Sequence, residues 1–216
     1  MAQIELSTNG LLLTEKSAEF LVNHVDVILV SLFGSDETGN NEIMGKGMSY
    51  NRIKNNILTL KKAKDDSGSD SSISVIKLIN CPFLPHDTVL KDWIFWEDAG
   101  INVRYYGFVD RATNAGNFNQ RDHTVKPCGC DYNSHNESTC VLYNGDISLC
   151  SHDWRKSHIL GNLHENSLTD IINGEKYRHL RNMVDGVADS DVDFLCRKCA
   201  NCKTDPKSHS RSRYSI

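Results

Sequence analysis

Seven of the eight cysteines in this 216-residue chain lie between residues 128 and 202. They fall into two groups, Cys128, Cys130, Cys140 and Cys150 upstream and Cys196, Cys199 and Cys202 downstream. Thiols held in two distant segments require a fold that brings those segments to a common centre, and such a centre is a metal ion or an iron–sulfur cluster. The residues alone leave both open. Cysteine pairs at two-residue spacing, with His152 or His158 as a fourth ligand, suit a structural zinc site. About four thiolates, one per iron, suit a cubane.

The opening Met1-Ala2-Gln3-Ile4-Glu5-Leu6 has neither the basic start nor the apolar core of a secretory leader. A cytoplasmic, reducing location is therefore expected, where clustered thiols are ligands rather than disulfides. No apolar run approaches the roughly 18–20 residues of a membrane helix, so no membrane partner is expected. A net charge of −4 argues against nucleic acid. The basic tail carrying Lys203, Lys207, Arg211 and Arg213 reads as a disordered, solvated end over 203–216.

The chain before residue 113 alternates. Strands are expected at 3–7, 25–33, 72–80 and 101–109, and helices at 13–24 (with Thr14 as N-cap), 49–64 and 87–99. The polar run 65–72 reads as a surface loop. Four strands alternating with three helices predict a parallel α/β unit with right-handed crossovers, whose first strand leaves an open edge. Residues 114–127 are polar and turn-rich, a linker. Residues 128–202 change character to short elements, with a capping-box-like Ser167 and Asp170 ahead of helices at 168–173 and 175–183.

Several segments together resemble the radical S-adenosylmethionine enzymes. Thr8-Asn9-Gly10, Ser31-Leu32-Phe33-Gly34-Ser35 and the stretch 41–57 resemble that superfamily's barrel from its third strand onward. Cys130, fourteen residues, Gly145, four residues and Cys150 resemble the opening of its cysteine-rich extension, the SPASM or shorter twitch domain. Leu160-Gly161-Asn162-Leu163, Ser167–Ile172 and the closing Cys-x2-Cys follow in the same order. The resemblance implies an α/β fold, a partial parallel (β/α) barrel of about four strands over 1–113 followed by a small α+β SPASM/twitch-type domain over 128–202. The family's Cys-x3-Cys-x2-Cys, which holds the cluster that cleaves S-adenosylmethionine, is absent, because Cys81 is the only cysteine before residue 128. A truncated gene, a split enzyme and a degenerate subunit all fit this pattern, so the chain by itself is not expected to carry out radical chemistry.

The resemblance further implies one auxiliary 4Fe–4S cluster on Cys130, Cys150, Cys196 and Cys199. Cys128 is an alternate for Cys130, since residues two apart on a strand share a face, and Cys202 is an alternate for Cys199. Zinc is the alternative metal. Cys130 and Cys150 are expected at the two ends of a hairpin turned by Asn144-Gly145, a type I′ signal. Cys140 is expected as a buried apolar thiol, and His24, His86 and His135 as ordinary surface or loop histidines. His152, Asp153 and Trp154 follow a cluster cysteine and are candidates for hydrogen bonds around the centre. Ser31 and Gly34 sit where the family contacts S-adenosylmethionine, which would bind only with a partner chain completing the barrel. The implied substrate is a peptide or small molecule.

Overall fold

The computed structural model describes residues 2–79, 93–114, 116 and 122–205. Cys81, His86, the first part of the helix expected at 87–99 and the tail beyond 205 lie outside the described residues. The chain divides into two compact units, Met1–Phe108 and Val109–Ile216.

The first unit is a parallel sheet in the order β1 (Glu5–Thr8), β2 (Val27–Ser31), β3 (Ser72–Ile79), β4 (Asn102–Gly107). Register runs Glu5↔Val27, Val27↔Ser72 and Ser74↔Asn102. Crossovers are made by α1 (Glu15–His24) between β1 and β2, and by α2 (Glu37–Met44) with α3 (Tyr50–Ser67) between β2 and β3. In the last connection, Trp93–Asp98 forms α4.

Thr14 caps α1 through a reciprocal pair with Ser17, an arrangement worth about 1 kcal/mol. The buried stripe of α3, Tyr50, Ile53, Ile57 and Leu60, has helical spacing. It meets Ala18 and Val22 of α1, Ile28 and Val30 of β2, and Ile73 and Val75 of β3 in one core. On the opposite face of the sheet, Val27, Leu29 and Ile76 form a second apolar cluster with Phe33. Both faces of β2 are thus buried, which is why it reads as a continuous apolar run.

Three features differ from expectation. The polar run 65–72 is not all loop, because α3 continues to Ser67 with a Lys61–Asp65 ion pair of 2.6 Å across its last turn. A short helix, α2, occupies 37–44, where glycines and asparagines mask any periodicity. Asp36 caps it by accepting from Gly39 N at 2.8 Å. Lys77 is fully buried in β3, and its Nζ donates to Gly34 O at 2.7 Å.

The second unit has a three-stranded antiparallel sheet of β5 (Cys140–Val141), β6 (Asp146–Ser148) and β7 (Ile159–Asn162). Its helices are α5 (Ser134–Glu137), α6 (Leu168–Asn173), α7 (Glu175–Val184) and α8 (Leu195–Lys198). Ser167 caps α6 by accepting from Asp170 N at 3.1 Å. Ile147, Leu149, Leu160, Ile171, Tyr177, Leu180, Val184 and Phe194 make its core. Among the described residues, no helix is long and apolar enough to cross a membrane.

Candidate metal centre

The hairpin that leads to Cys150 is β5–β6, so Cys140 rather than Cys130 stands at its other end, opposite Ser148. This corrects the expected placement of Cys130. The turn is also not type I′. Gly145 N donates back to Leu142 O at 2.9 Å, and only Gly145 of the three loop residues has positive φ (84°), giving a type I turn closed by a left-handed glycine. Asn162 of β7 braces this loop, donating to Asn144 O (3.1 Å) and Asp146 Oδ1 (2.9 Å). Beside it, Gly161 admits α6, since a Cβ there would lie 2.9 Å from Ile171 Cγ1.

Cys130 instead forms a single antiparallel bridge with Cys202. Lys203 N donates to Gly129 O (2.9 Å) and Asp131 N to Asn201 O (2.8 Å) on either side of the pair. Cys150 lies two residues past the end of β6. Cys196 lies within α8, Cys199 is the residue that ends it, and Cys202 N donates to Cys199 O at 3.1 Å.

These elements turn Cys130, Cys150, Cys196, Cys199 and Cys202 into the wall of one cavity, with Tyr132, His135, His152 and Leu195 between them. Cys128 and Cys140 are not part of that wall. Gly129, at φ 136°, breaks the extended geometry through which Cys128 and Cys130 would share a face. Cys140 is half-buried rather than buried. All seven cysteines of 128–202 are thiols, none in a disulfide.

The thiols perturb one another. Burial raises Cys199 to about 12, opposed by Asn201 N–H and reinforced by the charges of Cys150, Cys130 and Cys202. Burial pushes Cys196 well above its usual value, and Cys199, Cys150, Cys202 and Cys130 add to the rise. Cys150 is likewise raised, by burial first, against the N–H groups of His152 and Asp153. Cys130 shifts down: burial opposes ionisation, but hydrogen bonds from His135 and the N–H groups of Ser134 and Tyr132 outweigh it. Cys150, Cys196 and Cys199, whose anions are disfavoured by burial and by neighbouring thiols, suit a group that carries positive charge to them and displaces their protons. The donor set suits an iron–sulfur cluster, whereas among the described residues no three His, Cys, Asp or Glu side chains are grouped so as to hold a single metal ion.

Sequence reasoning missed two parts of the surroundings. His135, expected as an ordinary surface or loop histidine, is buried, and its Nε2 lies 2.7 Å from Asp185 Oδ1 while Tyr177 Oη donates to its carbonyl at 2.6 Å. The signal was present only as a histidine five residues past Cys130, which does not reveal Asp185. Arg111, Ala112 and Thr113 are three consecutive left-handed residues (φ 54°, 55° and 68°), an arrangement costing about 1–2 kcal/mol each. Asp110 Oδ1 accepts from Ala112 N (3.1 Å), and Asn114 Nδ2 donates to Arg111 O (2.8 Å) and His152 O (2.9 Å). The turn presses Ala112 against Leu195, Cys199 and Cys202.

Of the residues after Cys150, His152 reaches the cysteines, with its N–H 3.4 Å from Cys150 Sγ and its Nδ1 3.5 Å from Cys199 Sγ. Burial, followed by the Arg111 charge and against that of Asp110, lowers His152 to about 4, so the imidazole is neutral near pH 7. Asp153 is structural: it accepts from Ser157 N (2.9 Å) and His158 N (2.7 Å). Trp154 is exposed. His158 is not in the cavity wall and packs edge-on against Phe194.

Ser31 ends β2 at the C-terminal edge of the parallel sheet. Both main-chain groups of Gly34 are engaged within the first unit: its carbonyl accepts from Lys77 Nζ, and its N–H lies 3.4 Å from Asn40 Oδ1.

Residues 124–203 match the family model of the SPASM domain, an iron–sulfur cluster-binding domain. The chain as a whole is similar in fold to three solved radical S-adenosylmethionine enzyme structures. His-tagged anSMEcpe with bound AdoMet superposes with a TM-score of 0.57 at 14% identity, covering 91% of this chain and 59% of that one. Native anSMEcpe with bound AdoMet gives 0.58 at 13%, covering 97% and 69%. The same protein with AdoMet and the Kp18Cys peptide gives 0.56 at 13%, with the same coverage. No curated protein matches significantly. The chain thus combines a SPASM iron–sulfur domain with the fold of the radical S-adenosylmethionine enzymes, and it spans 59% of the length of the first of these structures.

Proposed function

We propose that the second unit holds one 4Fe–4S cluster on Cys130, Cys150, Cys196 and Cys199. The cluster serves as an auxiliary centre that binds substrate or passes an electron in the modification of a peptide or small molecule. The observation that carries this reading is the single cavity walled by these four thiols, in a domain matched to an iron–sulfur family. Such a cluster, when bound, would supply a one-electron carrier. The chain's own residues orient and insulate it. The N–H of His152 points at Cys150 Sγ, and the neutral His152 ring at Cys199 Sγ. Leu195 and Ala112 exclude water on the Cys199 side. Hydrogen bonds to ligand sulfurs of this kind raise the potential of a cluster.

S-adenosylmethionine chemistry, on this reading, needs further strands paired along β1, with Ser31 and the Gly34 turn on the cofactor side, and a partner chain is the proposed source. The peptide-bound relative supports a peptide as substrate class. Zinc on the same thiols is the competing reading, making the protein a stapled binding module.

Anaerobic reconstitution with iron and sulfide separates the two. The expected product is brown, bleaches with dithionite and contains about four irons per chain. Cys150→Ser should lose most of that iron, whereas Cys140→Ser should keep it. A colourless product holding stoichiometric zinc, or equal iron in both variants, overturns the assignment.

A further inference from the structure

The bridge between Cys130 and Cys202 has a specific geometry. The flanking hydrogen bonds, Lys203 N to Gly129 O and Asp131 N to Asn201 O, make the two cysteines a non-hydrogen-bonded antiparallel pair. In such a pair the Cα atoms stand about 4.5 Å apart and both side chains leave on the same face. Disulfides span Cα separations of about 4.4–6.8 Å, so this pair is bridgeable without backbone movement. Both thiols line the same cavity. The pairing also joins the two cysteine groups of the sequence, one sulfur from each.

We propose that Cys130 and Cys202 form a reversible cross-strand disulfide in the cluster-free protein, and that this bond and the cluster exclude one another. The second half of the statement rests on Cys130 being a cluster ligand, as above. The oxidant is a low-molecular-weight disulfide. The Cys130 thiolate attacks one of its sulfurs, forming a mixed disulfide and releasing one small thiolate. The Cys202 thiolate then attacks Cys130 Sγ, the protein S–S bond forms and the second small thiolate leaves. Two electrons pass from the cysteine pair to the oxidant, and the two cysteine protons end on the two released thiols.

The pairing gives Cys202 a role that four-cysteine ligation of a cubane leaves open. A disulfide at this position withdraws one ligand and pins residues 128–130 to 201–203 while the site is empty. A thiol reductant restores the full set.

The test uses the cluster-free full chain, prepared anaerobically and treated with glutathione disulfide. Remaining thiols are alkylated and the cross-linked peptides are mapped by mass spectrometry. The expected link joins Cys130 to Cys202, is lost in both Cys130→Ser and Cys202→Ser, and persists in Cys199→Ser. A link that survives in Cys202→Ser, a link through Cys128, or no intramolecular link in the wild-type chain overturns the proposal. The wild-type map needs no variant to fold. In a second measurement the oxidised wild-type chain takes up no iron until reduced, while identically treated Cys202→Ser takes it up at once. A mapped disulfide in a chain that never takes up iron counts against the cluster reading alone. Full iron uptake by the disulfide-bonded chain refutes mutual exclusion.

Discussion

Gly34→Ala tests whether the turn after β2 is set by packing. A Cβ at Gly34 would lie 2.2 Å from Asn40 N, 2.6 Å from Asn40 Cα and 2.6 Å from Gly39 C, all backbone atoms of α2. No rotamer change relieves that clash, so α2 must move by about 1 Å to reach ordinary contact, and overpacking of this kind costs about 1–3 kcal/mol. Displacement also pulls on the fully buried Asn40, whose Nδ2 donates to Met48 O at 2.6 Å, and on the Lys77–Gly34 hydrogen bond. Leaving one such group unpaired adds about 1–3 kcal/mol. The two ranges sum to about 2–6 kcal/mol, centred at about 4 kcal/mol, a large share of the roughly 5–15 kcal/mol by which domains are stable. Native-state hydrogen exchange of the β2 and β3 amides reads the effect for this unit alone. Their global-opening exchange should accelerate roughly 10²- to 10³-fold. Gly107→Ala, with nothing within 4 Å of its added Cβ, is the matched control and should change exchange little. Exchange in Gly34→Ala within about threefold of wild type would refute the packing argument.

Arg197, between Cys196 and Cys199 in sequence, is buried, and its guanidinium donates to Ser190 Oγ (3.0 Å), Ser190 O (2.6 Å) and Thr124 O (2.9 Å). Arg197→Lys cannot reproduce this fork and should cost about 2–3 kcal/mol by thermal or urea denaturation of the cluster-free chain, and an unchanged midpoint would remove the fork as a brace. Asp153 is held below the usual carboxylate range: burial raises it, but hydrogen bonds from His158 and the N–H groups of Ser157 and His158 prevail. A depressed carboxylate contributes stability that is present above its unfolded pKa of about 3.9 and is lost as pH falls through the folded value, so acid should destabilise the wild-type second unit more steeply than Asp153→Asn between about pH 5 and 2. Parallel pH curves for the two proteins would contradict it.

The parallel unit was legible because its signals are local. β2 is apolar at consecutive positions, α3 repeats every three to four residues, and Thr14, Ser49 and Ser167 cap the helices they precede. The α2 helix escaped because Gly39, Asn40 and Asn41 carry no helical preference, and its stability comes from Glu37 accepting from Ser49 Oγ and Asn51 N (3.3 Å each). Lys77 shows the same limit. A lysine in a strand reads as facing solvent, and only the carbonyl of Gly34, 43 positions away, explains its burial.

Within the site, the positions of the cysteines determined which two segments carry the sulfur, and the resemblance to the SPASM domain implied that Gly145, Gly161 and Asn162 belong with them. Neither could say which thiols meet, because register depends on hydrogen bonds between distant strands. Tertiary structure made Cys140, not Cys130, the hairpin partner of the Cys150 arm, set Cys130 against Cys202, turned Cys128 out of the cavity wall and brought Asp185 to His135. Residue type determines that a thiol binds soft metal. Which thiols share a cavity is decided by the backbone pairing that carries them there.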